Sequence, residues 1–379
     1  MSCQPKDVCV TALGMATALA PNLPDSWAAF RAGINRVSHL ETITPDFDEA
    51  LGEEPIAAYR AAYLAEGYCS GAKAVLLGRL ALCDLVQRAT LRKDDWQRTG
   101  IVVYLSDWGL LGEISAPFDG DADGSETPSE LWQEDYAKLI PRMLAASGIS
   151  ISEDNRHILF GAHAGFVDAL QLAANLVAGR KLDRCLVGAV DSTLDPEFLI
   201  AAAVKGLLKT PLNPVGFVPG EAAAFALVER TRDARPGRPP LASFSCGPLV
   251  PGEFDSRSQK SPDGDRLARA IRNLFDAWPL NTEVAVVIGD LNGDEYRARN
   301  WGSALTRLVG HNAGRASIWI PALGFGEMGA ATGAVGLCLA TRAVELGRVP
   351  QASVLTWLTD ESGAAAAMMI MPVIGGVRG

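Results

Sequence analysis

The sequence has 379 residues, 48% of them apolar and 21% charged, which excludes a disordered or fibrous chain and leaves room for two or three domains at roughly 150 residues each. Its 34 basic and 44 acidic residues give a formal charge of −10, so no global positive field exists to attract phosphate backbones or anionic lipid, and neither nucleic acid nor a membrane is expected as partner. Seven cysteines (3, 9, 69, 83, 185, 246, 338) form no C-x-x-C pair and mostly adjoin Val, Leu or Ala, as small buried hydrophobes of a reduced cytoplasmic protein do.

Along the chain, Val8–Leu13 is an apolar run closed by Gly14, and Asp25-Ser26 followed by Trp27, Ala28, Phe30 and Arg31 reads as an N-capped amphipathic helix. Val8–Ala20 is therefore read as strand and turn rather than a secretion leader. Strands are predicted at Gly100–Leu105, Ile158–Phe160, Cys185–Val190 and Ala222–Val228, with a helix over Ala162–Ala178. These strands are too continuously apolar to be half exposed, so a buried sheet covered by helices follows. The stretch Arg230–Pro240, with three prolines and a glycine, can continue neither helix nor central strand. It sets the expected boundary between halves 1–235 and 236–379.

Beyond it, strands are predicted at Leu241–Phe244, Val284–Ile288, Ala316–Ile320 and Ala364–Met371, and helices at Asp265–Trp278, Trp301–Val309 and Gly333–Glu345. The charge-free end, Ser362–Val377, carries Pro372 and three glycines and falls short of the roughly 20 residues of a membrane span. Both halves thus read as α/β layers. The eight tryptophans are spread over the chain without basic interleaving and are read as core or interface anchors.

One segment stands apart. Asp107–Asp135 holds nine acidic residues and no Lys or Arg, and is expected as an exposed insertion before a helix around Tyr136–Ala146. Within it, Asp119, Asp121, Asp123, Gly124 and Glu130 satisfy the D-x-D-x-D-G-x5-E calcium spacing. Against Ca²⁺ at the loop 119–130 stand Thr127 where a hydrophobe is usual, Pro128, and the lack of a second copy, so a solvated acidic loop is preferred.

Several motifs then recur in a known order. Val8-Cys9-Val10-Thr11-Ala12-Leu13-Gly14, Thr17-Ala18-Leu19 and Trp27–Gly33 resemble the opening of β-ketoacyl synthases. Gly165–Gly179 with Val187–Asp191 resembles their nucleophile helix and following strand, Gly216–Ala222 (GFVPGEA) their G-F-V-x-G-E-G, and Gly326–Val335 (GEMGAATGAV) their G-H-x-x-G-A-A-G-A. The resemblance covers both halves. It implies an α/β fold of the thiolase type, two pseudo-duplicated halves in five layers α-β-α-β-α, and a dimer packed along the strand before the nucleophile.

A condensing enzyme of this kind needs a thiolate, two imidazoles and paired backbone N–H donors. Carried over position by position, the family's nucleophile falls on Ala162, its first histidine on Asn292, its second on Glu327 and the preceding lysine on Ala322. The gating G-F-G-G-T loop falls on Asp360–Ala364, with only Gly363 matching. A methyl group forms no thioester, Asn shuttles no proton near neutral pH, and a carboxylate repels a developing enolate. No catalytic residue and no cofactor are therefore expected.

Among the histidines, His163 is the candidate for other chemistry, at a helix start whose dipole would lower its pKa. A lone imidazole without Ser or Cys beside it is more often structural. His39, His157 and His311 are read as solvated. The expected function is a ketosynthase-like pseudoenzyme that binds proteins, with itself, a second ketosynthase-like chain, or a secreted effector of a type VI system as partner. Two alternatives remain: a chain-length-factor-like inert partner of an active ketosynthase, and a divergent acyltransferase using His163 or Glu327.

Overall fold

A computed structural model describes residues 7–40, 55–64, 70–106, 138–211, 213–235, 237–252, 262–276, 283–309, 312–349 and 352–373. The acidic insertion, its calcium-type loop 119–130, and His311 lie outside the described residues. In chain order the elements are β1 (Val8–Thr17), α1 (Leu23–Arg31), β2 (Ser38–Leu40), β3 (Ile56–Ala58), α2 (Ser70–Ala89), β4 (Thr99–Ser106), α3 (Leu139–Ala146), β5 (Arg156–Gly161), α4 (Phe166–Ala178), β6 (Arg184–Ser192), α5 (Pro196–Val204), β7 (Glu221–Arg230), β8 (Ala242–Cys246), α6 (Asp265–Asp276), β9 (Val284–Gly289), α7 (Glu295–Arg307), β10 (Ser317–Trp319), α8 (Ala331–Glu345), β11 (Ser353–Thr359) and β12 (Ala365–Met371), with short turns between.

The main sheet runs β10-β9-β11-β12-β8-β1-β7-β6-β4-β5. Its two halves repeat one topology. Counted within each half and from the edge inward, the strand order is third, second, fourth, fifth, first, both in β5-β4-β6-β7-β1 and in β10-β9-β11-β12-β8. Directions repeat as well: the outer three strands are mutually parallel, and the remaining pairs antiparallel. The halves meet where β1 pairs antiparallel with β8, Cys9 opposite Ser243 and Val10 opposite Ala242. This is the pseudo-duplication of the thiolase fold.

Every residue of β1, β6, β11 and β12 is buried, which explains why these strands read as unbroken apolar runs rather than alternating ones. Helices α4 and α8 lie between the half-sheets and touch strands of both, α2 and α3 cover the first half-sheet outside, and α6 and α7 cover the second. Three apolar cores separate these five layers, the largest around Phe166, Leu170, Val335 and Leu339. From Ala331 to Thr341 every α8 residue is buried, and small Ala, Gly and Thr side chains let it sit between two sheets.

The helix expected at Asp25 starts earlier, capped by the Asn22 side chain, which accepts from the Asp25 N–H, and with Pro24 in its first turn. Helix α7 begins at Glu295, where the Asp294 carboxylate accepts from Tyr296 N–H. Its charged opening turns hide the apolar period until Trp301. No helix among the described residues is long and apolar enough to cross a membrane.

Candidate functional site

The parallel strands of the first half end at one rim of the sheet, where β5 passes into Ala162 and a 3-10 turn over His163–Gly165 before α4 begins. Tyr104, fully buried on β4, lies under this turn and donates its hydroxyl to the Ala162 carbonyl. The glycines on either side are required by that ring: a Cβ at Gly161 or Gly165 would stand 2.4 or 2.3 Å from the Tyr104 oxygen. The Ala162 methyl faces a cavity of about 70 Å³ lined also by Ser106, His163, Phe198, Arg297 and Glu327.

Glu327 enters from the second half on a loop locked by backbone hydrogen bonds. Its N–H donates to the Val218 carbonyl at 2.7 Å, and its carbonyl accepts from Gly220 N–H at 2.9 Å and the Thr193 hydroxyl at 2.7 Å. The GFVPGEA motif thus serves to hold Glu327. One carboxylate oxygen meets His163 Nε2 at 2.6 Å and accepts from Gly329 N–H at 2.8 Å, while the other accepts from the Asn292 amide. The structure therefore brings together three of the positions matched by resemblance, Ala162, Asn292 and Glu327, and adds His163. Ala322 lies outside this knot, in a short helical turn (Ala322–Phe325) that borders an outer groove.

Behind His163 runs a second ionic layer that the sequence did not disclose. Nδ1 lies 3.5 Å from the Asp290 carboxylate, an ion-pair distance without hydrogen-bond geometry. Asp290 accepts from Arg297 and from Thr359 N–H, and Arg297 also donates to the Thr359 carbonyl at 2.8 Å and to Glu361 at 3.2 Å. Asp191, at the end of β6, accepts from Ser192 N–H and from Ala330 N–H at the start of α8, both at 2.8 Å. The Asp360–Ala364 loop closes on itself, with Asp360 accepting from Ser362 and Ala364 N–H, and sends Glu361 into the site. The clue within reach was Asp290, beside Asn292 in the stretch already singled out; Arg297 gave no signal because two of its partners, Thr359 and Glu361, come from another loop.

Burial alone would push the His163 imidazole pKa down, but the adjacent Glu327 charge outweighs it and raises it to about 9. The lowered value expected from the helix start is thus corrected: a 3-10 turn replaces the helix N-terminus, and a carboxylate in contact dominates. Burial would raise Glu327, yet the His163 charge beside it and the donors around it bring it down to about 2. Burial lifts Asp191 to about 6. His157, expected to be solvated, is half buried in β5, and His39 lies exposed in β2.

What this arrangement offers chemically is an imidazolium and a carboxylate already spent on each other. Both His163 nitrogens face carboxylates, so neither is poised to take a proton from a nucleophile. No cysteine is among the described residues lining the cavity. Cys9 lies in β1, where burial pushes its thiol up to about 12, and Cys338 lies in α8 against the Gly14 and Phe225 carbonyls. Outside the Asn292–Glu327 contact lies an open groove of about 760 Å³, bordered by Tyr59, Lys209, Val218, Asn292, Gly293 and Leu323. The contact separates groove from cavity.

No family model matches the chain. It is similar to the ketoacyl synthase beta subunit of the tetracenomycin polyketide synthase of Streptomyces glaucescens, 26% identical over 82% of this chain and 79% of that protein. It is also 30% identical to a phenolphthiocerol/phthiocerol polyketide synthase protein of Mycobacterium tuberculosis, over 48% of this chain and 12% of that much longer protein. Among solved structures, a type II polyketide synthase acyl-carrier protein in complex with its ketosynthase bound to the hexaketide supplies a chain that superposes with a TM-score of 0.75 at 18% identity, covering 98% of this chain and 100% of its own. The ishigamide ketosynthase/chain length factor superposes at 0.71 and 16%, covering 97% and 99%. The chain is ketosynthase-like, with the thiolase fold.

Proposed function

We propose that this chain is the non-condensing, chain-length-factor-like partner of an active β-ketoacyl synthase in polyketide- or fatty-acid-type synthesis. One observation carries the reading: the positions that resemblance assigns to thiol and imidazoles hold Ala162, Asn292 and Glu327, and the last two are tied with His163 into a closed, buried ionic knot. A site so filled supports a fold rather than an acyl transfer. Similarity to a ketoacyl synthase beta subunit and to a ketosynthase/chain length factor structure favours this reading. It is preferred to the secretion-effector adaptor, for which none of the relatives named above speaks.

Strand β5 supports the same reading from the surface. Among the described residues it is an edge of the main sheet, paired with β4 alone, and all six of its residues are partly exposed, Ile158, Leu159 and Phe160 among them. An apolar edge strand invites a partner strand. The occupant we assign to it is a ketosynthase-like chain related by a pseudo-twofold axis, which completes a sheet across two subunits.

Affinity purification of the tagged chain from its native cell, with the copurified ketosynthase then tested for elongation, decides this. The reading requires a β-ketoacyl synthase bearing an intact Cys-His-His set at one-to-one stoichiometry, whose elongation of malonyl units depends on this chain. Recovery of the chain as a lone homodimer that elongates by itself would sink it.

A further inference from the structure

At the opposite end of the sheet from Ala162, a second cavity of about 300 Å³ opens between the start of β1, the end of β7 and the end of α4. It is lined by Asp7, Ala178, Arg180, Arg230, Thr231 and Arg232. Three guanidiniums and one carboxylate line it, with Asp183 and Asp233 paired to two of the arginines beside it. The arginines are not equivalent. Arg230 is a fixed structural post: it donates to the Val177 carbonyl in the last turn of α4 at 2.9 Å and to the Leu182 carbonyl beyond that helix at 3.0 Å, and pairs with Asp183 and Asp233. Arg232 reaches Asp233 only at 3.8 Å, and no hydrogen bond or ion pair among the described residues occupies the Arg180 guanidinium.

Arg180 also carries backbone strain. Its φ is +60°, in the left-handed region where helix ends normally place glycine. The glycine that would fit is one position earlier, at Gly179. A bulky side chain held there without a partner among the described residues, over a cavity it helps to line, is the kind of strain that function retains. Helix capping explains Arg230 but neither of the other two.

We propose that this cavity binds the dianionic phosphate of a small metabolite, with Arg180 and Arg232 closing on the anion and Arg230 supplying a fixed charge and its one remaining N–H. Guanidinium forks match phosphate oxygens, and charge-assisted bonds of this type are the strong ones. A volume of about 300 Å³ suits a phosphate with a sugar-sized group and is too small for a dinucleotide. The site stands at the far end of α4 from the ionic knot and does not depend on the function proposed above.

Isothermal titration of the intact chain with ribose 5-phosphate and, separately, inorganic phosphate tests it. One saturable site is expected, weakened about tenfold or more in Arg180→Gly and in Arg232→Ala, and tightened in Asp7→Asn, which removes the opposing charge. Arg180→Gly should also raise Tm, since glycine relieves the left-handed strain; a variant that folds better yet binds worse cannot be dismissed as misfolded. A stronger response to ribose 5-phosphate assigns an ester, and equal responses assign the free anion; either supports the site. No saturable binding at millimolar ligand, or unchanged affinity in both arginine variants, overturns it.

Discussion

Glu327 and His163 each hold the other in its charged form, and the sign of the pH dependence follows. The Glu327 contribution to stability is complete above its ordinary value of 4.5 and is lost as pH falls through about 2. That of His163 is complete below its ordinary 6.5 and is lost as pH rises through about 9. The wild type should therefore exceed His163→Ala in stability most between pH 4.5 and 6.5, with the gap closing above pH 9; urea unfolding across pH measures it. Glu327→Gln should cost on the order of 3 kcal/mol near neutral pH, as removal of one partner of a buried pair does. Ala162→Cys should yield a thiol that iodoacetamide labels but no condensation, because Asn292 and Glu327 stand where the resemblance puts the imidazoles that would serve it. Ala162, Asn292 and Glu327 were legible in the sequence because glycine-anchored motifs fix their register. Arg297 was not, since its acceptor Thr359 lies 62 positions away and neither belongs to a local pattern. Tyr104 was equally hidden, its role set by the missing Cβ atoms at Gly161 and Gly165.

Among elements, β5 and the turn before α8 bear the sharpest tests. Ile158→Lys places a charge on the half-exposed edge strand and should abolish pairing with the partner chain while leaving the monomer folded; light scattering of the mixture against the wild-type complex reads this directly. Gly329 has φ +51°, and a Cβ there would stand 2.0 Å from the Asp191 carboxylate, so Gly329→Ala should lower stability by about 2 kcal/mol or more through strain and a displaced helix-capping carboxylate. Differential scanning calorimetry checks it. The buried strands announced themselves as apolar runs, and so did α8. Missed were α2, although Ala74, Leu77, Ala81, Leu82, Leu85 and Ala89 recur at helical spacing and share one core, and β11, where Thr356 and Thr359 interrupt the run and are buried all the same. Local composition reports burial poorly when polar atoms find partners inside, as the Thr359 hydroxyl does on Asp290.

On the scale of the molecule, two copies of one five-strand topology share helices α4 and α8 as a common middle layer, and the ionic knot joins His163 of the first copy to Glu327 and Asp290 of the second, with Asn292 donating to Glu327. In a ketosynthase the same crossing point is where resemblance puts the reacting groups. Here, charge pairing joins the two halves at that point, and β5 stays a partly exposed edge of the sheet. The repeat of the topology could be anticipated from the strand and helix rhythm alone, whereas the junction through β1 and β8 could not, because a pairing of two positions leaves no trace in either strand's pattern. The most direct test is intact-protein mass spectrometry of the purified chain after incubation with acyl and malonyl carrier-protein thioesters, with products followed in the same tube. Unmodified protein and no β-ketoacyl product from the chain alone, with product appearing once an active ketosynthase is added, is the outcome required. An acyl adduct on this chain accompanied by condensation without any other protein chain would contradict it.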